Sequence, residues 1–357
     1  MSVVLVTGST GLIGSEAVRM YSQLGYQVVG IDNNLRKSFF GDEACTLWNK
    51  KNLIKEYKNY IHYDVDIRNE KKINEIFNEY GKDINLIIHA AAQPSHDWAA
   101  SDPFTDFTVN ANGTLVLLEA FRKYSSKAVF IFTSTNKVYG DRPNALELIE
   151  EASRYEISSL SEYKNGINES MSIDNCKHSL FGASKVAADI LVQEYGHYFS
   201  LSTTVLRGGC LTGPSHSGTK LHGFLSYLMR CAITKKAYTV IGYKGKQVRD
   251  NIHSYDLLNA IHHVFLKPQI GAVFNIGGGM HSNCSILEAT SIASEITGNP
   301  MQLLYDQIER SGDHIWWITD LSKFKSIYPE WTLTYDVKSI MSEIYEIQKQ
   351  ILFEGQY

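Results

Sequence analysis

The chain lacks any apolar run approaching the roughly 20 residues that span a bilayer, so a membrane-spanning protein is not expected. It has no Cys-x-x-Cys spacing, and its five cysteines (Cys45, Cys176, Cys210, Cys231, Cys284) are odd in number and scattered. That pattern belongs to reduced thiols and supports neither a disulfide framework nor a zinc site. The twelve histidines contain no His-x-x-x-His pair, and no metal is expected. Neither sign of charge dominates: the net charge is -4, which gives no reason to expect nucleic acid or an anionic membrane as partner. A basic stretch before an apolar core is missing from the N-terminus, so a secretory signal is not expected either. A cytoplasmic, metal-free protein is the expectation. What remains is 357 residues of ordinary composition, 44% hydrophobic and 20% charged. That length fits one large α/β unit with a second lobe.

The first stretch with chemistry in it is Thr7-Gly8-Ser-Thr-Gly11-Leu-Ile-Gly14. A β-branched run from Val3 precedes it, an amphipathic pattern to about Leu24 follows, and a second strand from Gln27 to Ile31 ends at Asp32. Glycines keep such a turn tight and let backbone approach a pyrophosphate, whose charge sits at the helix N-terminus. An acidic residue about 20 residues on accepts hydrogen bonds from an adenosine ribose and repels a 2′-phosphate, favouring NAD over NADP. Arg36 lies close enough in sequence to reach such a phosphate, and any tight strand-to-helix turn also uses glycine.

The alternation then continues. Strands are expected over 60–65, 85–89 and 128–133, with helices over about 71–80 and 103–124. Asp66 leaves the third strand as a candidate partner for an adenine amino group. Ala90-Ala91-Ala92 reads either as backbone lying flat against a cofactor or as close packing at a strand end. Repeated strand-helix units imply a Rossmann-like, doubly wound parallel sheet, with ligands beyond the carboxyl ends of its strands. Residues 141–177 are polar and irregular, and a loop this long suggests a lid or substrate-side insertion. A helix follows over 181–199 and a strand over 202–207. Residues 1–205 therefore read as the nucleotide-binding domain. Residues 206–357 read as mainly a smaller C-terminal substrate-binding lobe, some elements returning to the sheet.

These residues resemble the extended short-chain dehydrogenase/reductases, specifically the nucleotide-sugar epimerases, over nearly the whole length. The matching motifs are the glycine turn, Asp32, His89-Ala-Ala-Ala-Gln93-Pro94, Ser134-Thr135 before Val138-Tyr139-Gly140, Lys185, Arg207-Gly-Gly-Cys210 and Val248-Arg249-Asp250. Closer in, Pro94-Ser-His-Asp-Trp98 and Gly245-Lys-Gln-Val-Arg-Asp250 resemble the CDP-paratose 2-epimerases (CDP-tyvelose 2-epimerases). The resemblance implies NAD as cofactor, held by Gly8, Gly11, Leu12, Ile13, Gly14, Asp32, Asn33, Asp66, Ile67, Ala90, Ala91, Ala92, Thr133, Lys185 and Arg207. It implies a nucleotide-sugar substrate, CDP-linked in the closer match, met by Gln93, His96, Asp97, Trp98, Thr135, Asn136 and Arg249. It also implies a homo-oligomer. In structural terms His96 and Asp97 equally suit a helix cap, Arg249-Asp250 an internal ion pair, and Asp313-His314 before Trp316-Trp317 plain packing.

One position departs from the pattern. The family's Tyr-x-x-x-Lys pair becomes Phe181-Gly-Ala-Ser-Lys185, and a phenyl ring has no proton to exchange. Thr135 and Lys185 are the other catalytic positions implied. Three readings follow for Phe181: a substituted tyrosine, a different base (Tyr163, His178, His96 or Asp97), or either different chemistry (a nucleotide-sugar dehydrogenase, reductase or dehydratase) or none, with NAD and nucleotide-sugar binding retained.

Overall fold

A computed structural model describes residues 2–220, 222–306 and 312–353. Seven parallel strands form one sheet in the order Ala272–Ile276, Thr203–Gly208, Val129–Thr135, Ile84–His89, Val3–Thr7, Gln27–Ile31, Tyr60–Tyr63. The strands are short β-branched or aromatic runs buried on both faces, which suits a parallel sheet covered by helices. Val3, Leu5, Val29, Ile31, Phe130 and Phe132 share one core with Ile73, Phe77, Leu117, Phe121 and Val192 from three helices. Val4 and Val6, pointing to the other face by alternation, are fully buried as well. Helix Leu12–Gln23 meets helix Ser254–Leu266 through Tyr21, whose ring lies 5.9 Å from His262 and 6.3 Å from Phe265.

The chain divides into two compact units. The first comprises 1–138, 180–207 and 258–274; the second comprises 139–179, 208–257 and 275–357. In the second, helices Phe224–Thr234, Ile286–Thr297 and Val337–Phe353 enclose a core of Leu228, Met229, Ala289, Ile340 and Met341. Strand Val248–His253 pairs with Cys210–Thr212, Asn283–Ser285 and Trp316–Trp317 in a small separate sheet.

Two segments differ from the sequence reading. Residues 141–177 are folded structure: a hairpin, Leu148–Glu150 with Tyr155–Ile157, is tied down by Tyr155 N–H to Lys246 O at 2.8 Å and Ile167 N–H to Ile318 O at 2.7 Å. The single helix expected over 103–124 is interrupted by a π turn, Thr108–Asn112. Such turns recur at functional sites, and here the turn carries Asn110. Among the described residues no helix is long and apolar enough to cross a membrane.

Candidate active site

The glycine turn is built by exclusion of side chains. Gly8 sits at φ +67°, and a Cβ there would lie 2.8 Å from Ala91 N and 3.0 Å from Ala90 O. A Cβ on Gly14 would stand 2.0 Å from Gly8 O, so only glycine lets helix Leu12–Gln23 begin against the turn. That helix has no side chain capping its N-terminus, and its first N–H groups form a site suited to an anion. Ala90 and Ala91 thus pack closely on the turn.

Asp32 stands beside this turn, half-buried. Its carboxylate accepts from Thr10 N–H (3.0 Å), Thr10 Oγ1 (2.7 Å) and Asn34 N–H (2.7 Å). With two oxygens and about four lone-pair sites, it keeps capacity for a ribose hydroxyl. Asn33 reaches from the same strand end to Asp66 at 3.2 Å. Asp66 is also gripped by Arg68, 2.7 Å away. Burial opposes charge on Asp66, but these donors hold its carboxyl below the usual range. Ile67 is buried and fills the space where Gly113 lacks a side chain. Leu12 and Ile13 open the helix, half-buried and buried respectively.

Below the strand ends a buried polar layer fixes the next group. His89 joins Thr7 Oγ1 (2.7 Å) to Thr114 Oγ1 (2.9 Å) and stacks on Phe132. Its complete burial, with the Lys185 cation near, pushes the imidazole down to about 3, so it is neutral. Lys185 is buried too. Its ammonium donates to Thr133 O at 3.0 Å and lies 4.1 Å over the Phe132 ring. Burial lowers it to about 7, although Asp189 and Asp106 pull the other way. Thr135 is half-buried at the end of its strand, its Oγ1 accepting Lys137 N–H at 3.2 Å; Asn136 beside it is buried.

Phe181 is 6% exposed and opens helix Leu180–Phe199, one turn before Lys185. Its ring meets His96 edge to face, centroids 5.0 Å apart. His96 begins helix His96–Ser101, whose cap is Ser95 rather than His96 or Asp97. Asp97 is exposed in that first turn.

Four residues expected to meet a ligand have protein partners here. Arg207, expected at the cofactor, is buried in an ion pair with Asp189 (Nε to Oδ2, 3.0 Å; Nη2 to Oδ1, 2.9 Å), to which Ser134 also donates. A buried guanidinium requires such a partner. Gln93, expected at the sugar, is fully buried and bonds Ser95 and Asp106. Trp98 packs on Phe39 with centroids 4.5 Å apart. In the second unit, Arg249 is 7% exposed and pairs at 2.6 Å with Asp313. Its partner is therefore not Asp250, which is fully buried and accepts Gly279 and Thr319 N–H. Trp316 and Trp317 are core side chains.

Sequence reasoning missed the amide lattice under the site. Asn110 donates to Gln93 O, Asp106 and Ser184 Oγ, and Ser184 donates to Phe181 O. Burial raises the Asp106 carboxyl above its usual range. No local pattern marks these residues, since they converge from three segments.

A turn that tolerates no side chain, a helix N-terminus behind it and an acid at the next strand end fit a dinucleotide. The sequence model for the NAD dependent epimerase/dehydratase family matches residues 4–277. The chain belongs to that family. As a family member it is an NAD-dependent enzyme acting on nucleotide sugars. It is 28% identical to CDP-paratose 2-epimerase from Salmonella typhi over 96% of this chain and 98% of that one. It is 30% identical to a dTDP-glucose 4,6-dehydratase from Escherichia coli over 90% and 87%. Among solved structures, UDP-glucose 4-epimerase from Thermotoga maritima superposes with a TM-score of 0.78 at 24% identity, covering 98% of this chain and 99% of that one. This last likeness shows the shared fold.

Proposed function

We propose that this family member is a nucleotide-sugar epimerase that inverts C2 of a CDP-linked hexose in the cytoplasm, of the kind that serves surface-polysaccharide synthesis. The observation that carries the substrate assignment is the end-to-end likeness to CDP-paratose 2-epimerase, which leaves almost none of either chain unmatched.

When bound, NAD supplies a hydride acceptor and donor. The chain's own residues do the rest. The glycine turn and the bare N-terminus of helix Leu12–Gln23 would hold the pyrophosphate, and Asp32 would take the adenosine ribose. Asp66 and Asn33 would serve the adenine. Thr133 and Lys185 would bind the nicotinamide ribose, and the Lys185 cation would favour removal of a hydroxyl proton by its charge. Thr135 orients the reacting hydroxyl. Arg249 serves the substrate diphosphate by exchanging Asp313 for it, a planar guanidinium being suited to either. The resemblance also supports a homo-oligomer; Leu115, Ile190 and Tyr198 are exposed apolar side chains on helices Gly113–Tyr124 and Leu180–Phe199.

Incubation with CDP-paratose, followed by proton NMR, should yield CDP-tyvelose with no accumulation of reduced nicotinamide; an unchanged sugar would sink the assignment. The 30% identity to a dTDP-glucose 4,6-dehydratase favours a second reading, net dehydration of a nucleotide-linked hexose. Mass spectrometry after incubation with dTDP-glucose decides it by loss of water.

A further inference from the structure

We propose that His96 replaces the missing tyrosine hydroxyl and takes the sugar's hydroxyl proton. The assignment rests on the epimerase reading above. Its basis is position. A group that removes this proton must lie within hydrogen-bond reach of the hydroxyl, and in a family that uses a tyrosine at position 181 the reacting hydroxyl comes close to the ring there. Phe181 holds the ring and lacks the oxygen. The side chain packed edge to face on that ring is His96, with centroids 5.0 Å apart. It is an imidazole, the side chain whose ordinary titration range allows proton exchange near neutrality.

The contact is held from both sides. Ser95, immediately before His96, accepts Gln93 Nε2–H on its carbonyl at 2.9 Å, and its own N–H donates to Gln93 Oε1. Gln93 in turn exchanges two backbone bonds with the Asn110 amide, at 2.9 and 3.0 Å. The same amide nitrogen donates to Ser184 Oγ at 3.0 Å, and Ser184 Oγ donates to Phe181 O at 3.0 Å. One buried lattice thus fixes the loop that carries His96 and the helix that carries Phe181. A catalytic group must be held to a fraction of an ångström, and a rigid supporting layer of this kind does that.

The other candidate bases fit less well. Asp97 is exposed on the first turn of its helix. Burial raises the Tyr163 phenol, which disfavours its ionised form. His178 lies against Cys176, its nearer ring nitrogen 3.7 Å from Sγ.

In the step proposed, the sugar O–H bond breaks and its proton passes to the neutral imidazole. Bound NAD would accept the C2 hydrogen with its electron pair as the C–O bond becomes a carbonyl, and would return it to the opposite face; the His96 imidazolium then gives the proton back, so neither cofactor nor base changes overall.

The test compares the parent protein with His96→Asn, Phe181→Tyr and the double variant, using CDP-paratose as substrate and calorimetry for NAD and CDP binding. His96→Asn should lower kcat by about 10²- to 10⁴-fold, the usual contribution of a positioned base, with both dissociation constants unchanged. Adding Phe181→Tyr to it should restore at least ~10-fold, since a tyrosine again supplies the proton acceptor. Parental kcat in His96→Asn overturns the assignment. So does a loss of binding that accompanies the loss of kcat, or a double variant no faster than His96→Asn alone. A parent that is inactive while Phe181→Tyr is active overturns the role of His96 and leaves the epimerase reading standing. Inactivity of both on CDP-paratose overturns the reading itself.

Discussion

Gly14→Ala offers a sharp separation between cofactor binding and simple stability. The added methyl would lie 2.0 Å from Gly8 O, 2.6 Å from Gly8 C and 2.7 Å from Ser9 Cα. Ordinary contacts need about 3.5 Å, so the turn and helix must part by roughly 1.5 Å. Neither side yields easily. Gly8 N–H bonds Ile31 O at 2.8 Å and Gly11 N–H bonds Gly8 O at 3.0 Å, and Ala90 and Ala91 leave no room beside Gly8 even for a Cβ. Overpacking of this kind costs about 1–3 kcal/mol of stability. Moving the turn also misplaces the N–H groups that would face the pyrophosphate. A hydrogen bond to a charged group contributes about 1.5–3 kcal/mol, so each one lost weakens NAD binding by roughly 10- to 150-fold. Gly25→Ala is the control. Gly25 has φ +86° and nothing within 4 Å of its missing Cβ, so the substitution costs about 1–2 kcal/mol of backbone strain alone. Urea unfolding should show both variants destabilised, and calorimetry should show only Gly14→Ala impaired toward NAD. Parental NAD affinity in Gly14→Ala would refute the placement of the cofactor on this turn.

Three further outcomes follow from buried charge. Asp189→Ala removes the carboxylate from a buried ion pair with Arg207, 1% and 7% exposed; urea unfolding should show a loss of about 3–5 kcal/mol. Asp250 is fully buried, and desolvation pushes its carboxyl up from 3.8 to about 6. Between those values the folded state binds the extra proton, so stability is fully present below about pH 4 and falls as pH rises to 6, by roughly 3 kcal/mol at 1.36 kcal/mol per unit. Asp250→Asn, whose amide oxygen still accepts from Gly279 and Thr319, should remove that component of the urea midpoint between pH 4 and pH 7. His89 has the opposite sense. Its imidazole, pushed to about 3 by burial, stays neutral in the fold while the unfolded chain protonates below about 6.5. Its contribution therefore disappears as pH falls through that window, and His89→Gln should flatten the acid limb of the unfolding profile.

The sheet was legible because its strands are buried on both faces and so read as continuous β-branched runs separated by helical periods. The glycine turn was legible because its constraint is local: φ at Gly8 and the space at Gly14 are settled within one loop. The rest of the site depends on distant segments. Arg207 was implied as a cofactor contact by the resemblance, and its side chain pairs with Asp189 from helix Leu180–Phe199. Gln93 sits beside a site motif and is nonetheless consumed by the lattice beneath it. Nothing in Thr108–Asn112 announces a π turn, because Asn110 has its reason in Gln93 and Ser184. Arg249 lies on strand Val248–His253, and its partner Asp313 is 64 residues away in sequence. The helices Leu35–Phe40 and Leu47–Glu56 went unseen, being short with weak apolar periodicity. Phe181 was visible as a departure from the start, while the ring beside it required coordinates.

The central claim is a closed hydride cycle at C2 of a CDP-linked sugar, and CDP-paratose deuterated at C2 tests it most directly. In ordinary water the account predicts CDP-tyvelose that retains the deuterium at C2, with no build-up of reduced nicotinamide. Product whose C2 deuterium has washed out to solvent, or reduced nicotinamide formed in step with consumed sugar, would contradict it.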